Sequence, residues 1–560
     1  MRPLLRIPRP ATSRLHRGVA LPVALLLPLA AALAAPFAAP LAAQQPAAST
    51  ARPSARAARF AVEEATIASV HAAFAARTLT CHALVQQYLD RIAAYDQRGP
   101  VINALVTINP KALQIADSLD ARYRASGPVG PLHCIPMIVK DNFETADLQT
   151  TAGSLALEGW VPPQDATMVR KIRAAGAIVL AKANLAEWAF TPYETVSSIL
   201  PGYTRNPYAL DRVTAGSSGG TAAAVAASFG TVGLGTDTGN SIRGPSAHQA
   251  LVGIRSTMGL TSRAGVVPLN AVADVAGPMA RTVADAAAVF NVVVGSDPAD
   301  TVTAPADSKR ESDYRAMLTR GALKGARIGI LRQAYERPTL DAEVNATFLR
   351  AVAALRAQGA TIIDTARVDS LDAIQRRQQG SCNRFRADLE RYFAERAPNA
   401  PVKTIDAILR SRKFHPTVEQ RLRDAAPITE MPEQSAGCQS RERVRAALRV
   451  AVVQLMDSLK LDALIYPTWS NPPRRIGDLN TPHGDNSQLF SPTTGFPAIT
   501  VPMGYTRDNQ LPAGMTFFGR AWSEGRLLAL AYDFEQATHH RRAPASTPAV
   551  RQTAMVRAPR

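Results

Sequence analysis

Four cysteines in 560 residues are few, and none stands in a CxxC pair or at a zinc-type spacing from histidine. A zinc finger or a CxxC redox motif is thereby excluded. The chain also lacks an unbroken apolar run of membrane-spanning length, because Pro22 and Pro28 cut the stretch from Val19 to Leu33, and Pro36 and Pro40 follow it. No stable membrane insertion of the mature chain is expected. No internal repeat recurs, and acidic residues are missing from both ends. There Arg2, Arg6, Arg9, Arg14 and Arg17, then Arg52, Arg56 and Arg59, and finally Arg541, Arg542, Arg551, Arg557 and Arg560 account for most of the formal charge of +18. Residues 60–540 carry only about +5. A nearly balanced body argues against a nucleic-acid face.

What is present begins with an arginine-rich start, an apolar stretch and small residues up to Ala43, the pattern of a cleavable signal peptide over residues 1–43. Periplasmic or secreted localisation follows, with an uncleaved anchor as the rival. Ala/Pro/Arg-rich segments at 44–59 and 542–560 read as a disordered linker and a disordered basic tail. The 46% hydrophobic content is ample for one large core between them. Apolar spacing (Val70, Phe74, Leu84, Tyr88, Ile92) predicts two amphipathic helices within 62–96. Ile135–Val139 reads as a buried strand ending at Lys140, residues 169–175 as helix and 177–181 as strand, giving an alternating α/β order.

The chemistry concentrates between Ala215 and Arg243, in AGSSGGTAAAVAASFGTVGLGTDTGNSIR. A small-residue helix over 221–228 follows the Gly219-Gly220 pair, pointing amides back toward Ser217 and Ser218. Upstream lies PLHCIPMIVKDN with Lys140. A lysine buried among apolar residues loses its proton near neutrality and can activate a serine. Backbone amides at Thr238, Gly239 and Asn240 can hold the oxyanion that attack by Ser241 creates. Each piece alone also has a structural reading: Lys140 as an ion-pair partner, Ser217 and Ser218 as helix caps, and Ser241 as part of a glycine-rich turn. Asp237 and Arg243 would brace that turn, with Ser218 as a supporting hydroxyl.

This block resembles the amidase signature family, as do AGAIVLAKANLAEWAF, DVAGPMARTVADAAAVF, TTGFPAITVPMGY and LPAGMTFFGRAWSEGRLLALAYDFEQ farther along. The resemblance covers about residues 60–540. AGSLALEGW and FGRAWSE look most like secreted peptide amidases. It implies the amidase signature fold, a large mixed central sheet flanked by α-helices on both faces, in a single 60–541 domain whose 307–462 part is variable and mainly helical. Within that part it is RIGIL (327–331) that reads as strand and 341–358 as helix, while the charges between Arg376 and Asp424 read as solvated faces. The resemblance also implies a Ser-cisSer-Lys triad of Ser241, Ser217 and Lys140 with a cis Gly216–Ser217 bond. Such enzymes hydrolyse a small-molecule or peptide amide with no metal or organic cofactor.

Departures from the family pattern are Asn240 and Cys134 where glycine is usual, Ala181-Lys182-Ala183-Asn184 for Gly-Lys-Thr-Asn, and Ile254-Arg255-Ser256 for Leu-Lys-Pro. Asn240 tolerates a left-handed turn, and its side chain could narrow the acyl pocket. Cys382–Cys438 is the expected disulfide, both lying where the family match is weakest, with free buried thiols as the rival. Two other activities compete. One is the glutamine-hydrolysing component of a tRNA-dependent amidotransferase, which works with partner chains; the other is an α/β-hydrolase esterase using Ser218 in G-x-S-x-G with His483, His539 or His540. The polar run before Ser218 speaks against that elbow. Trp188, Phe190, Tyr193 and Trp469 could line an apolar pocket or belong to the core. His133 is expected to pack.

Overall fold

A computed structural model describes residues 60–550. Residues 1–59, read above as a signal peptide and linker, and residues 551–560 lie outside the described residues. Thirteen strands run in chain order: β1 (Leu105–Ile108), β2 (Pro136–Lys140), β3 (Ile178–Ala183), β4 (Arg205–Asn206), β5 (Ala209–Val213), β6 (Val232–Asp237), β7 (Val252–Arg255), β8 (Val275–Ala280), β9 (Arg327–Ile330), β10 (Thr361–Ile363), β11 (Ala463–Pro467), β12 (Ala498–Thr506) and β13 (Leu511–Phe518). Eleven form one sheet in the order β1-β3-β2-β6-β8-β7-β12-β13-β11-β9-β10, while β4 and β5 pair separately. The sheet is mixed, with β3, β2 and β6 parallel, as are β10, β9 and β11, and the remaining pairs antiparallel. Its strands are short apolar runs buried along their whole length at β2, β3, β6, β7 and β8. That is the signature of a sheet covered on both faces.

The topology brings distant residues to one sheet end. β2 and β6 run in parallel, so Lys140 and Asp237 close neighbouring strands. β8 runs the other way and pairs Val275 with Asp237, so Asp274 enters at the same end, and β7 finishes there at Arg255. Carboxyl ends of parallel strands are where open α/β sheets place ligands.

The helix Gly219–Ala226 lies on β2 and β6, every residue buried. Small side chains permit this approach: a Cβ at Gly219 would stand 2.1 Å from Thr195 Oγ1, and one at Gly233 2.5 Å from Thr221. Ile67–Ala75 and Cys81–Tyr95 are the two expected helices, each capped by a threonine (Thr66, Thr80) whose hydroxyl accepts an amide of the first turn. Asp341 caps the helix Ala342–Ala357 in the same way, and RIGI is β9.

Two expectations are corrected. Residues 542–550, assigned to a disordered tail, pack on the body: Arg91 donates to the Thr547 and Pro548 carbonyls (both 2.8 Å), and Ser546 to the Pro207 carbonyl (2.6 Å). Main-chain carbonyls, invisible to a composition argument, hold this segment. Most charged residues between Arg376 and Asp424 are exposed or part-exposed, as the sequence suggests, while the helices Phe385–Glu395, Ile405–Ser411 and Pro416–Ala425 turn apolar faces inward. These helices bury Phe385, Leu389, Phe393, Ile405 and Leu422 in a second core shared with Trp188 and Phe190. The disulfide inventory is larger than expected, with Cys81–Cys134 (Cα–Cα 5.7 Å) joining the anticipated Cys382–Cys438 (4.6 Å). Cys134 has φ +54°, left-handed backbone that accounts for the family's glycine there.

Candidate active site

Lys140 ends β2 with none of its surface exposed. Its ammonium nitrogen stands 2.7 Å from Ser217 Oγ and 2.7 Å from Thr236 Oγ1, two hydroxyls and no carboxylate. Burial lowers its pKa to about 7, against the pull of Asp237 and Asp274 from farther away. Lys182, equally buried one strand over, supplies the contrast. It pairs with Asp141 at 3.0 Å and donates to the Phe143 and Gln149 carbonyls and the Thr150 hydroxyl. Burial lowers the Lys182 pKa as well, but the Asp141 carboxylate beside it favours the cation, whereas no carboxylate touches the Lys140 nitrogen.

Ser217 follows a cis Gly216–Ser217 peptide bond. Its carbonyl accepts the Ala186 amide (3.1 Å), while the Ser218 amide donates to the Ser241 carbonyl (3.2 Å), tying the two serine turns together. Ser218 faces away from chemistry, its hydroxyl donating to the Thr236 carbonyl (3.1 Å) and accepting the Thr236 amide (3.3 Å). No histidine hydrogen-bonds to it among the described residues. The segment before it is the isolated β4–β5 hairpin rather than a sheet strand, so the hydrolase elbow is corrected. Ser218 does stand at the N-cap of the helix that follows, without a side-chain cap bond.

Thr238, Gly239, Asn240 and Ser241 form the floor of a cavity of about 1150 Å³. Among the described residues, none of their four backbone amides has an acceptor within the protein. Four successive unpaired N–H groups at one turn are uncommon, because buried amides are nearly always satisfied. The turn bends without left-handed backbone at Gly239 or Asn240, contrary to expectation. At Gly239 a Cβ would displace the terminal amide of Gln488, whose Oε1 it would meet at 2.0 Å. The Asn240 side chain is fully buried, both amide atoms unpartnered, against Gly244, whose missing Cβ makes the room.

Below the turn, Asp237 accepts Arg243 Nε (3.0 Å), Arg255 Nη1 (3.1 Å) and the Ile242 amide (3.2 Å). Burial would raise its pKa, but the two guanidiniums outweigh that and hold it at about 2. Arg243 also donates to the Gly239 carbonyl (2.7 Å), fixing the turn from beneath. Sequence reasoning assigned Asp237 and Arg243 here but treated Arg255 only as a departure from the family pattern. It missed Thr236, the second partner of Lys140, and Asn142, which donates to Thr236 Oγ1 (3.2 Å). Asp274, accepting Thr238 Oγ1 at 2.5 Å, was missed too. Of the four aromatics, Phe190 and Tyr193 line the cavity, Trp188 is core, and Trp469 donates to the Gly244 carbonyl (3.1 Å). His133 stacks on Tyr123.

The Amidase family model matches residues 83–528. The A subunit of glutamyl-tRNA(Gln) amidotransferase from Acinetobacter baumannii is 35% identical over 500 residues, covering 87% of this chain and 98% of that protein. A probable amidase of Arabidopsis thaliana is 33% identical over 510 residues, covering 87% and 92%. Native peptide amidase from Stenotrophomonas maltophilia superposes with a TM-score of 0.79 at 37% identity, covering 87% of this chain and 99% of that one. With these matches spanning the sheet, both serine turns and Lys140, the chain belongs to the amidase signature family of amide-hydrolysing enzymes.

Proposed function

We propose that this protein hydrolyses a carboxylic or peptide amide through a Ser241 acyl-enzyme, with Ser217 and Lys140 as the proton relay. The supporting observation is the 2.7 Å Lys140–Ser217 contact in a pocket holding no carboxylate against the lysine, beside a turn with four unpaired amides. Neutral Lys140 takes the Ser217 proton as Ser217 takes that of Ser241, whose oxygen bonds to the amide carbon. Amides of Thr238, Gly239 and Asn240 receive the oxyanion. The relay returns the proton to the leaving nitrogen, the C–N bond breaks, and ammonia or amine departs. Water then attacks the ester, its proton travels back to Ser241, and the acid is released.

The cavity exceeds the roughly 300–1,000 Å³ typical of small-ligand sites, which favours an extended substrate such as a peptide amide. Similarity to a peptide amidase points the same way. The identity to one component of an amidotransferase carries a second reading, glutamine hydrolysis with partner chains. Ammonia release from peptide amides, aryl amides and free glutamine by the isolated chain separates the two. Covalent labelling by a serine-reactive inhibitor, mapped by mass spectrometry, is expected at Ser241, and a label on Ser218 would refute the assignment. Export is proposed from residues 1–43, with a mature N-terminus after Ala43 in the secreted protein as its check.

A further inference from the structure

One wall of the cavity that holds Ser241 is built on the helix Ala436–Ser458, which contributes Arg441 and Arg445 beside the apolar Val444 and Leu448. Arg441, Arg445 and Arg449 recur every four residues, so they stack along one helix face. Like charges at that spacing destabilise a helix. Arg441 and Arg445 line the cavity, and Arg384 and Arg421 join them from neighbouring elements; against these four guanidiniums, Glu194 is the cavity's one acidic lining residue among those described.

The counter-charges are incomplete. Arg384 is held by Asp388 at 3.1 Å and by Glu433 at 3.6 Å. Arg421 spends one nitrogen on the Phe190 carbonyl and lies 4.9 Å over the Phe190 ring. Arg445 is 5% exposed, donates to the Val272 carbonyl (2.7 Å) and reaches Glu442 only at 3.4 Å. Burial lowers its pKa; Glu442 opposes this, and Arg449, Arg441 and Arg384 lower it further. Arg441 is exposed and has no side-chain hydrogen bond or ion pair among the described residues. A buried guanidinium among three like charges is costly unless an anion arrives to share the site.

We propose that this arginine row is a subsite for carboxylate groups, so that the preferred substrates are acidic peptide amides with Asp or Glu upstream of the amide that is cleaved. The inference rests on the amide-hydrolysis reading and names its substrate class. Arg441 to Leu448 spans about 10 Å of wall along the helix axis, the length of about three extended residues. Ser241, Arg441 and Arg445 line one cavity, so a peptide of a few residues bound in it with its terminal amide at Ser241 shares that space with the arginines. Planar guanidiniums suit carboxylates through paired N–H donors.

The test uses the full chain and amidated tetrapeptides that differ only by Glu or Gln at each position before the amide. Two readouts are taken: kcat/KM for ammonia release, and calorimetric binding to the Ser241→Ala variant. Glu is expected to be favoured about fivefold at one or two positions in low salt, the scale of a partly exposed ion pair. The ratio shrinks in roughly 0.5 M NaCl through screening. Arg441→Gln lowers it below about twofold and Arg441→Glu inverts it; Arg441 is exposed, so these variants keep the fold. Equal Glu and Gln values at every position, or a ratio indifferent to both variants, would overturn the subsite. Turnover of neutral and acidic peptides without preference refutes this inference alone. Binding preference without any turnover refutes the hydrolytic reading and leaves the subsite standing.

Discussion

On the sheet side of the cleft, Lys140, Ser217, Asp237 and Arg255 are fully buried, and Lys140 and Asp237 are each held by side chains from neighbouring strands and turns. On the helical side, Arg441 is exposed and unpaired among the described residues, Arg384 and Arg421 come from elements with a separate core, and Cys382–Cys438 pins the loop before Phe385 to the start of the long helix. Strand ends locked by eleven-stranded pairing give fixed positions, which proton transfer between hydroxyls requires. Helices joined by loops tolerate exchange of their surface residues. On the reading proposed here, chemistry belongs to the sheet and selectivity to the helical wall, a division that can be broken from either side.

The largest effect is expected on the sheet. Ser241→Ala and Lys140→Ala should each lower kcat by at least about a thousandfold on every amide the enzyme accepts, since members of a catalytic unit fail together. A single-substrate loss would move them into the specificity class. Next, Asp237→Asn leaves two buried guanidiniums without their carboxylate. Breaking such a pair costs about 3–5 kcal/mol, to be read by urea unfolding.

The disulfides sharpen the comparison because their loops are alike, with sequence separations of 53 and 56. Chain entropy assigns each about 4 kcal/mol at most, so Cys81→Ser/Cys134→Ser and Cys382→Ser/Cys438→Ser should destabilise to similar extents. Only the second, with Cys382 in the cavity wall, should also raise KM. Equal KM changes would deny the wall its role.

The smallest effect is the pH response. With Lys140 at about 7, kcat/KM should climb through pH 7 to a plateau, standing at about a tenth of it at pH 6. Stability should follow the same direction. The folded pKa lies below that of an unfolded lysine, so between pH 7 and about 10 the unfolded chain holds the extra proton and folding gains as pH rises. Lys140→Met should flatten that slope in thermal unfolding, whereas Arg441→Gln should leave it unchanged.

Much of the site could be read locally. Ile135–Val139 is apolar and β-branched, so a strand had to end near Lys140. Gly219-Gly220 before alanines announces a helix packed closely on something. Partners across strands carry no such local mark. Thr236, Asn142 and Asp274 stand out in no local pattern, and Arg255 only as a departure from the family; they matter because β6, β8 and β7 put them near Lys140 and Asp237. Cys81–Cys134 escaped for the same reason, depending on how the helix Cys81–Tyr95 folds back on the turn before β2.

By itself, the order of residues determined which groups could react and which segments would be strand, turn or helix, because periodicity and glycine placement act within a few residues. Whether Lys140 meets a hydroxyl or a carboxylate, and which arginines crowd into one cleft, only the tertiary structure decided. Those outcomes depend on burial and distance between segments far apart in the chain, where desolvation and charge are set by neighbours that chain order does not name.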